Sequence, residues 1–254
     1  MQENASKVYA KELVSLSLCD YLSEPATVIF FSGCNFDCGY CQNWRLKKIS
    51  DSKSVDLVKI KDLIRKNRLI SACKITGGEP LLQLEALKAL AKFVKSLGLK
   101  LGIDTNGSLP EALEEILPLL DLISIDIKTS LVPGEYSKIT GLSTNIQNIR
   151  RTLAIALSSM AFIDIRMVVI PGYNDSPKIV AAIGAELKAL GYDAKAKNGK
   201  ASFTLVEYLP ENTRNEEFKA IKNPSVESLK SLAKLLKLEN VRITHRALGF
   251  YIRA

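Results

Sequence analysis

The sequence predicts an α/β protein in which parallel strands alternate with helices. Short β-branched runs alternate with longer segments of helical period about six times along the 254 residues, the rhythm of strands joined by right-handed crossovers. The strand candidates are apolar on both faces, as a sheet covered by helices requires. Polar and glycine residues recur just after each strand candidate, the edge where such folds gather their chemistry. Six or seven units of this kind give a partial or curled (β/α) barrel, or a doubly wound sheet.

Taken in order, residues 1–26 read as an N-terminal helix or extension before the first strand. Strands are expected at 27–31 (TVIFF), 73–76 (CKIT), 100–104 (KLGID), 122–127 (LISIDI), 162–169 (FIDIRMVV), 203–208 (FTLVEY) and 240–243 (NVRI). Helices are expected near 55–68, 82–97, 110–119, 143–158, 177–190 and 225–238. Pro80 falls near the first turn of the second helix, where a missing N–H costs nothing. Ser225 follows Pro224 as the N-cap of the last helix, whose leucines repeat at helical spacing. The polar stretch 193–202 (DAKAKNGKAS) reads as an exposed loop. No linker rich in Gly, Pro or Ser interrupts the chain, so 1–254 reads as one domain.

Composition excludes several classes. Hydrophobic residues make up 47% and charged residues 24%, which rules out disordered and collagen-like chains. No apolar run approaches the roughly 20 residues a membrane span needs. The start, MQENASKVYAKELV, lacks the basic-then-apolar layout of a secretory signal, which points to the cytoplasm. Lys and Arg number 35 against 27 Asp and Glu, a net charge of +8. That charge is spread without a Lys/Arg block, which argues against a nucleic-acid partner. An acidic protein partner, an anionic small molecule or heat adaptation accounts for it equally well.

The chain has five cysteines and one histidine. An odd count argues against a disulfide framework. Cys34, Cys38 and Cys41 form C-x3-C-x2-C, three soft ligands on one tight loop. A zinc site normally takes four protein ligands in pairs, and His245 is too distant in sequence to supply a ligand spacing. Three thiolates without a local fourth suit a cubane iron–sulfur cluster with one iron open to a substrate or cofactor. Gly33 and Gly39 leave room for the backbone to approach it. The residues alone leave open a structural role, or a zinc knuckle completed by Cys19 or Cys73. Cys73 starts an apolar strand and reads as a core residue; Cys19 reads as packing.

Further candidates lie at the other strand ends. Gly77 and Gly78 let the backbone approach a ligand, and Glu79 can accept bonds from an ammonium group. Asp104 and Asn106 can bind hydroxyls, an ammonium or a small cation. Asp126 and Lys128 alternate on an apolar strand and so share a face. Arg166 shares a face with Asp164. Such charges require a partner or a cavity, and a structural ion pair satisfies that need as well as a ligand does.

Cys34, Cys38 and Cys41, with aromatic Tyr40 before the last, resemble the signature of radical S-adenosylmethionine (SAM) enzymes. Gly77-Gly78-Glu79-Pro80 resembles that superfamily's segment for the methionine amino group. TGGEPLLQ, DTNG, DLISIDIK with Tyr136 and the TGLS of 140–143, and RMVVIPGYND together resemble activating enzymes of glycyl-radical enzymes, of the pyruvate formate-lyase and anaerobic ribonucleotide reductase types. The resemblance covers 27–175 well and 176–254 loosely.

It implies a partial (β/α)6 barrel with cluster and cofactor at the C-terminal ends of the strands. Cys34, Cys38 and Cys41 would hold one [4Fe–4S] cluster per chain. Tyr40 would pack near the adenine, and Gly77, Gly78 and Glu79 would lie along the methionine. Asp104, Asn106, Asp126, Lys128 and Arg166 complete the implied cofactor contacts. The implied reaction is reductive cleavage of SAM to a 5′-deoxyadenosyl radical, which takes hydrogen from a glycine of a partner enzyme. Electrons would come from a low-potential donor such as ferredoxin or flavodoxin. No catalytic side chain is needed beyond the cluster and cofactor. One departure stands out: pyruvate formate-lyase activators carry a histidine after the sixth strand, where this chain reads Tyr208-Leu209-Pro210-Glu211-Asn212. The competing readings are a radical SAM enzyme acting on a small molecule or RNA, and a non-catalytic zinc-binding module.

Overall fold

The computed structural model describes residues 7–51 and 53–253. Residues 1–6 of the expected N-terminal extension lie outside them. The chain divides into two units, the first made of Met1–Asn35, Asn43–Thr105 and Glu111–Ile123, the second of Phe36–Gln42, Asn106–Pro110 and Ser124–Ala254.

The first unit contains β1 (Lys7–Ser17), β2 (Ala26–Phe31), β3 (Ser54–Asp56), α1 (Leu57–Lys66), β4 (Ala72–Gly77), α2 (Leu84–Ser96), β5 (Lys100–Thr105) and most of α3 (Pro110–Ile116). Its strands run in the order β3-β1-β2-β4-β5. β2, β4 and β5 are parallel, as expected, while β1 is antiparallel to both β2 and β3. β1 corrects the sequence reading of 1–26 as a helix or plain extension. Val8 and Ala10 are buried between exposed neighbours, a period of two, but two register breaks and the charged Lys11-Glu12 pair blur the alternation. Local signals elsewhere are clean. Asp56 caps α1 by accepting the Val58 N–H at 2.8 Å. Glu79 and Pro80 open a short 3-10 turn before α2. Leu87, Leu90 and Val94 of α2 are fully buried, and each contributes about 2 kcal/mol of transfer free energy.

β6 (Leu122–Asp126) begins in the first unit and ends in the second. The second unit continues with α4 (Pro133–Thr140), α5 (Ile146–Ser158), β7 (Phe162–Val169), α6 (Pro177–Ala189), α7 (Tyr192–Lys197), β8 (Ala201–Glu207), α8 (Glu216–Lys219), α9 (Val226–Leu236), β9 (Val241–His245) and β10 (Gly249–Arg253). β7, β8 and β9 are parallel and β10 turns back antiparallel. Ile163, Ile165, Met167 and Val169 present one fully buried face of β7. Ser225 caps α9 as expected, accepting the Ser228 N–H at 3.1 Å. The stretch 193–202 is not a loop throughout. α7 occupies its first half, anchored by the buried Tyr192, whose hydroxyl donates to the Glu239 carbonyl at 2.9 Å. Its last two residues, Ala201 and Ser202, are buried at the start of β8. Among the described residues no helix is long and apolar enough to cross a membrane.

Candidate functional site

In the first unit the carboxyl ends of β2 and β4 are joined by backbone. The register pairs Phe31 with Gly77. The Gly78 N–H donates to the Phe31 carbonyl at 2.9 Å and the Glu79 N–H to the Gly33 carbonyl at 2.7 Å. Gly77 has φ +118°, and a Cβ there would stand 2.2 Å from the Phe31 oxygen; one on Gly78 would stand 2.0 Å from the Gly33 oxygen. Only glycine fits either place. Cys34 is held on its other side, its N–H donating to the Lys47 carbonyl at 3.0 Å.

Glu79 is fully buried. Its carboxylate accepts the Leu81 N–H at 3.1 Å and the Thr105 hydroxyl at 3.0 Å. Asp104 forms an ion pair of 2.7 Å with Lys74, a lysine buried in β4. Sequence reading passed over Lys74, although its spacing of two from Thr76 in an apolar strand is a signal. Cys73 is fully buried beside it, and burial pushes its thiol up to about 12. It is a core residue, as expected. Cys19 lies within hydrogen-bond reach of the Ser17 hydroxyl at 3.4 Å.

In the second unit Cys38 and Cys41 flank a tight turn in which the Cys41 N–H donates to the Cys38 carbonyl at 3.1 Å. Cys38 packs against a cluster of Tyr40, Ile139, Ile170, Tyr208 and Phe218. Lys128 lies 6.0 Å from the centre of the Tyr40 ring and pairs with Asp126 at 2.9 Å. Burial opposes the charge on Lys128, but the neighbouring Asp126 carboxylate favours it, and the ammonium is held well above its ordinary value. Burial likewise raises the Tyr40 phenol, so it stays neutral.

The backbone of Lys128 is gripped on both sides. Its N–H donates to the Tyr136 hydroxyl at 3.3 Å, and its carbonyl accepts from Asn174 at 2.8 Å. Asn174 is fully buried and also bonds the Val168 carbonyl and the Ile170 N–H. Sequence reading placed Asn174 in a motif without a role; its position in Pro171-Gly172-Tyr173-Asn174 was the signal. Asn106 turns its side-chain oxygen back onto the Ser108 N–H and hydroxyl, at 2.9 and 2.6 Å. Arg166 pairs with buried Asp164 at 2.6 Å, and Asp164 also accepts the Ser202 and Thr204 hydroxyls. The structural ion pairs anticipated for Asp126–Lys128 and Asp164–Arg166 are therefore both present.

None of the five cysteines is in a disulfide, and Cys34, Cys38 and Cys41 are each part-exposed. Among the described residues no three or more His, Cys, Asp or Glu side chains are gathered into a ready metal cage. The fit to an iron–sulfur cluster rests on the donor set: three soft thiols four and three residues apart on a loop with two glycines.

The model of the radical SAM superfamily matches residues 28–181, a span that holds Cys34, Cys38, Cys41, Tyr40, the Gly77–Glu79 segment and the candidates from Asp104 to Arg166. The chain belongs to the radical SAM superfamily. Over 243 residues this radical SAM protein is 28% identical to a candidate glycyl-radical enzyme activating enzyme of Methanocaldococcus jannaschii, covering 93% of this chain and 96% of the other. It is 37% identical over 122 residues to the pyruvate formate-lyase-activating enzyme of Clostridium pasteurianum, covering 45% of this chain and 50% of that one. The crystal structure of a radical SAM methyltransferase from Sphaerobacter thermophilus superposes with a TM-score of 0.63 at 15% identity, over 87% of this chain and 67% of that one. At that identity the likeness speaks for the fold, the radical SAM form of α/β architecture expected from the sequence.

Proposed function

We propose that this radical SAM protein is an activating enzyme that generates a glycyl radical on a partner enzyme of the pyruvate formate-lyase or anaerobic ribonucleotide reductase type. The observation that carries the reading is the likeness to the Methanocaldococcus relative over nearly the whole of both chains, 93% and 96%. The ordered motifs at the strand ends support it.

In this reading the chain acts as one domain in the cytoplasm, and Cys34, Cys38 and Cys41 hold the cluster. When bound, the cluster and SAM supply one-electron cleavage and removal of a hydrogen atom. The chain's own residues bind and orient. Lys128 offers a carboxylate a fixed positive charge, since Asp126 keeps it protonated and Tyr136 and Asn174 hold its backbone. Buried Glu79 offers a negative charge to an ammonium, and Gly77 and Gly78 offer backbone without side-chain bulk. Tyr40 gives an apolar, neutral surface for a base. Asp104, Asn106 and Arg166 complete the contacts. A protein such as ferredoxin or flavodoxin delivers the electron.

The test is electron paramagnetic resonance on anaerobically reconstituted, reduced protein, with and without SAM, followed by mixing with candidate glycyl-radical enzymes. A reduced-cluster signal that changes with SAM, then a glycyl doublet on one partner, is expected. Tight zinc without labile sulfide sinks the reading. A SAM-responsive cluster that yields no doublet, but consumes SAM on a small molecule or RNA, replaces the protein substrate with that class.

A further inference from the structure

The half of the cysteine loop that lies in the second unit, Phe36–Gln42, is gripped by one stretch of chain, the residues 209–221 that follow β8. Gln42 donates to the Leu209 carbonyl at 3.2 Å. Arg214 pairs with Asp37 at 3.0 Å. The Phe218 ring stands 6.2 Å from Tyr40 and 4.9 Å from Tyr173. At Gly39 the fit is tightest: a Cβ there would lie 2.5 Å from the Phe218 ring and 2.9 Å from the Asn215 amide nitrogen.

Phe218 is itself held in place. Its carbonyl accepts the Tyr208 hydroxyl at 2.7 Å, and the Tyr173 hydroxyl donates to neighbouring Glu217. Cys38 packs on the same apolar cluster. A second anchor lies beneath: the Asp37 N–H donates to the Thr140 carbonyl at 2.8 Å, and Gly141 closes against the Asp37 backbone. This is the region whose sequence, Tyr208 to Asn212, carries no histidine. Here Tyr208 braces Phe218 and the Leu209 carbonyl holds Gln42.

We propose that residues 209–221 form a strap that sets the positions of the Cys38 and Cys41 thiols, with Phe218 and Arg214 as positioning residues. The proposal rests on the reading of those thiols as cluster ligands, but its first test does not need the cluster. Phe218 enters because Gly39 has no side chain, so the strap is matched to this loop and not merely laid over the core. Arg214 adds a directional tie at the residue before Cys38. Its contribution is the smaller, since the pair is part-exposed.

The test uses the full chain, cluster-free and without oxygen. Iodoacetamide labelling of each cysteine is timed and read by peptide mass spectrometry. Phe218→Ala is expected to speed labelling of Cys38 and Cys41 about tenfold through local opening, while Cys34 and Cys19 change less than about twofold. Phe218→Leu restores most of the wild-type protection, and Gly39→Ala reproduces the loosening. After reconstitution, the reduced cluster of Phe218→Ala gives a shifted and broadened paramagnetic spectrum. Faster labelling at all four sites, or at none, overturns the strap; so does an unchanged spectrum in a variant that builds its cluster. If the wild type builds no cluster while the selective labelling holds, the cluster reading fails and the strap stands as a loop-positioning device.

Discussion

Around Cys34 backbone meets backbone, whereas around Cys38 and Cys41 side chains are added to the backbone bonds. In the first unit, carbonyls of Phe31 and Gly33 accept from Gly78 and Glu79, and two glycines leave no room for a Cβ. In the second unit, Arg214 and Phe218, braced by Tyr208, hold the loop, and its own Gln42 bonds the Leu209 carbonyl. A backbone lattice is rigid and indifferent to most substitutions except at its glycines. A side-chain grip can be retuned one residue at a time.

The comparison breaks first at Gly78. Gly78→Ala brings a methyl to 2.0 Å from the Gly33 oxygen, which backbone cannot yield, and should cost roughly 3 kcal/mol or more in urea unfolding. Asp104→Ala removes the carboxylate paired with buried Lys74 and should cost about 3 kcal/mol; a loss under about 1 kcal/mol would mean that the pair adds little to this unit. Asn174→Ala strips bonds from Lys128, Val168 and Ile170 and should cost about 2 kcal/mol, testing how far the second unit depends on side chains.

Cys73 sharpens the contrast through pH. Its folded thiol is pushed up to about 12 by burial, against an ordinary value of 9.0. The unfolded chain therefore loses this proton first. The stabilisation is complete below about 9 and is lost as pH rises from there towards about 12. Between these limits the wild type should lose about 1.4 kcal/mol more per pH unit than Cys73→Val. The smallest effect belongs to Gly39→Ala. Its new methyl meets the Phe218 ring and the Asn215 side chain, which can shift, so about 1 kcal/mol is expected. A loss as large as that of Gly78→Ala would erase the distinction between the two halves of the loop.

Much of the fold was legible because its signals are local. Apolar runs marked β2, β4, β5, β6, β7, β8 and β9 to within two residues, and Ser225 marked the start of α9. β1 was missed because its partners, Phe31 and Asp56, lie far along the chain and Lys11-Glu12 interrupts its alternation. α7 was missed because Lys and Ala with a single buried Tyr192 look like a solvated loop until the Glu239 carbonyl is brought to that hydroxyl.

The sequence by itself determined the α/β class, the superfamily, and which residues stand at the strand ends. The positions of strands along the chain follow from a local period, and a C-x3-C-x2-C loop is chemistry written in consecutive residues. Period-two spacing already offered Lys128 with Asp126 and Arg166 with Asp164 as ion pairs; only the tertiary structure brought Lys74 to Asp104. It also decided what holds the cysteine loop. Arg214 reaches Asp37 across 177 residues of sequence, and Phe218 fits Gly39 through the absence of a side chain. Such pairings are set by packing between distant segments, which no local pattern records.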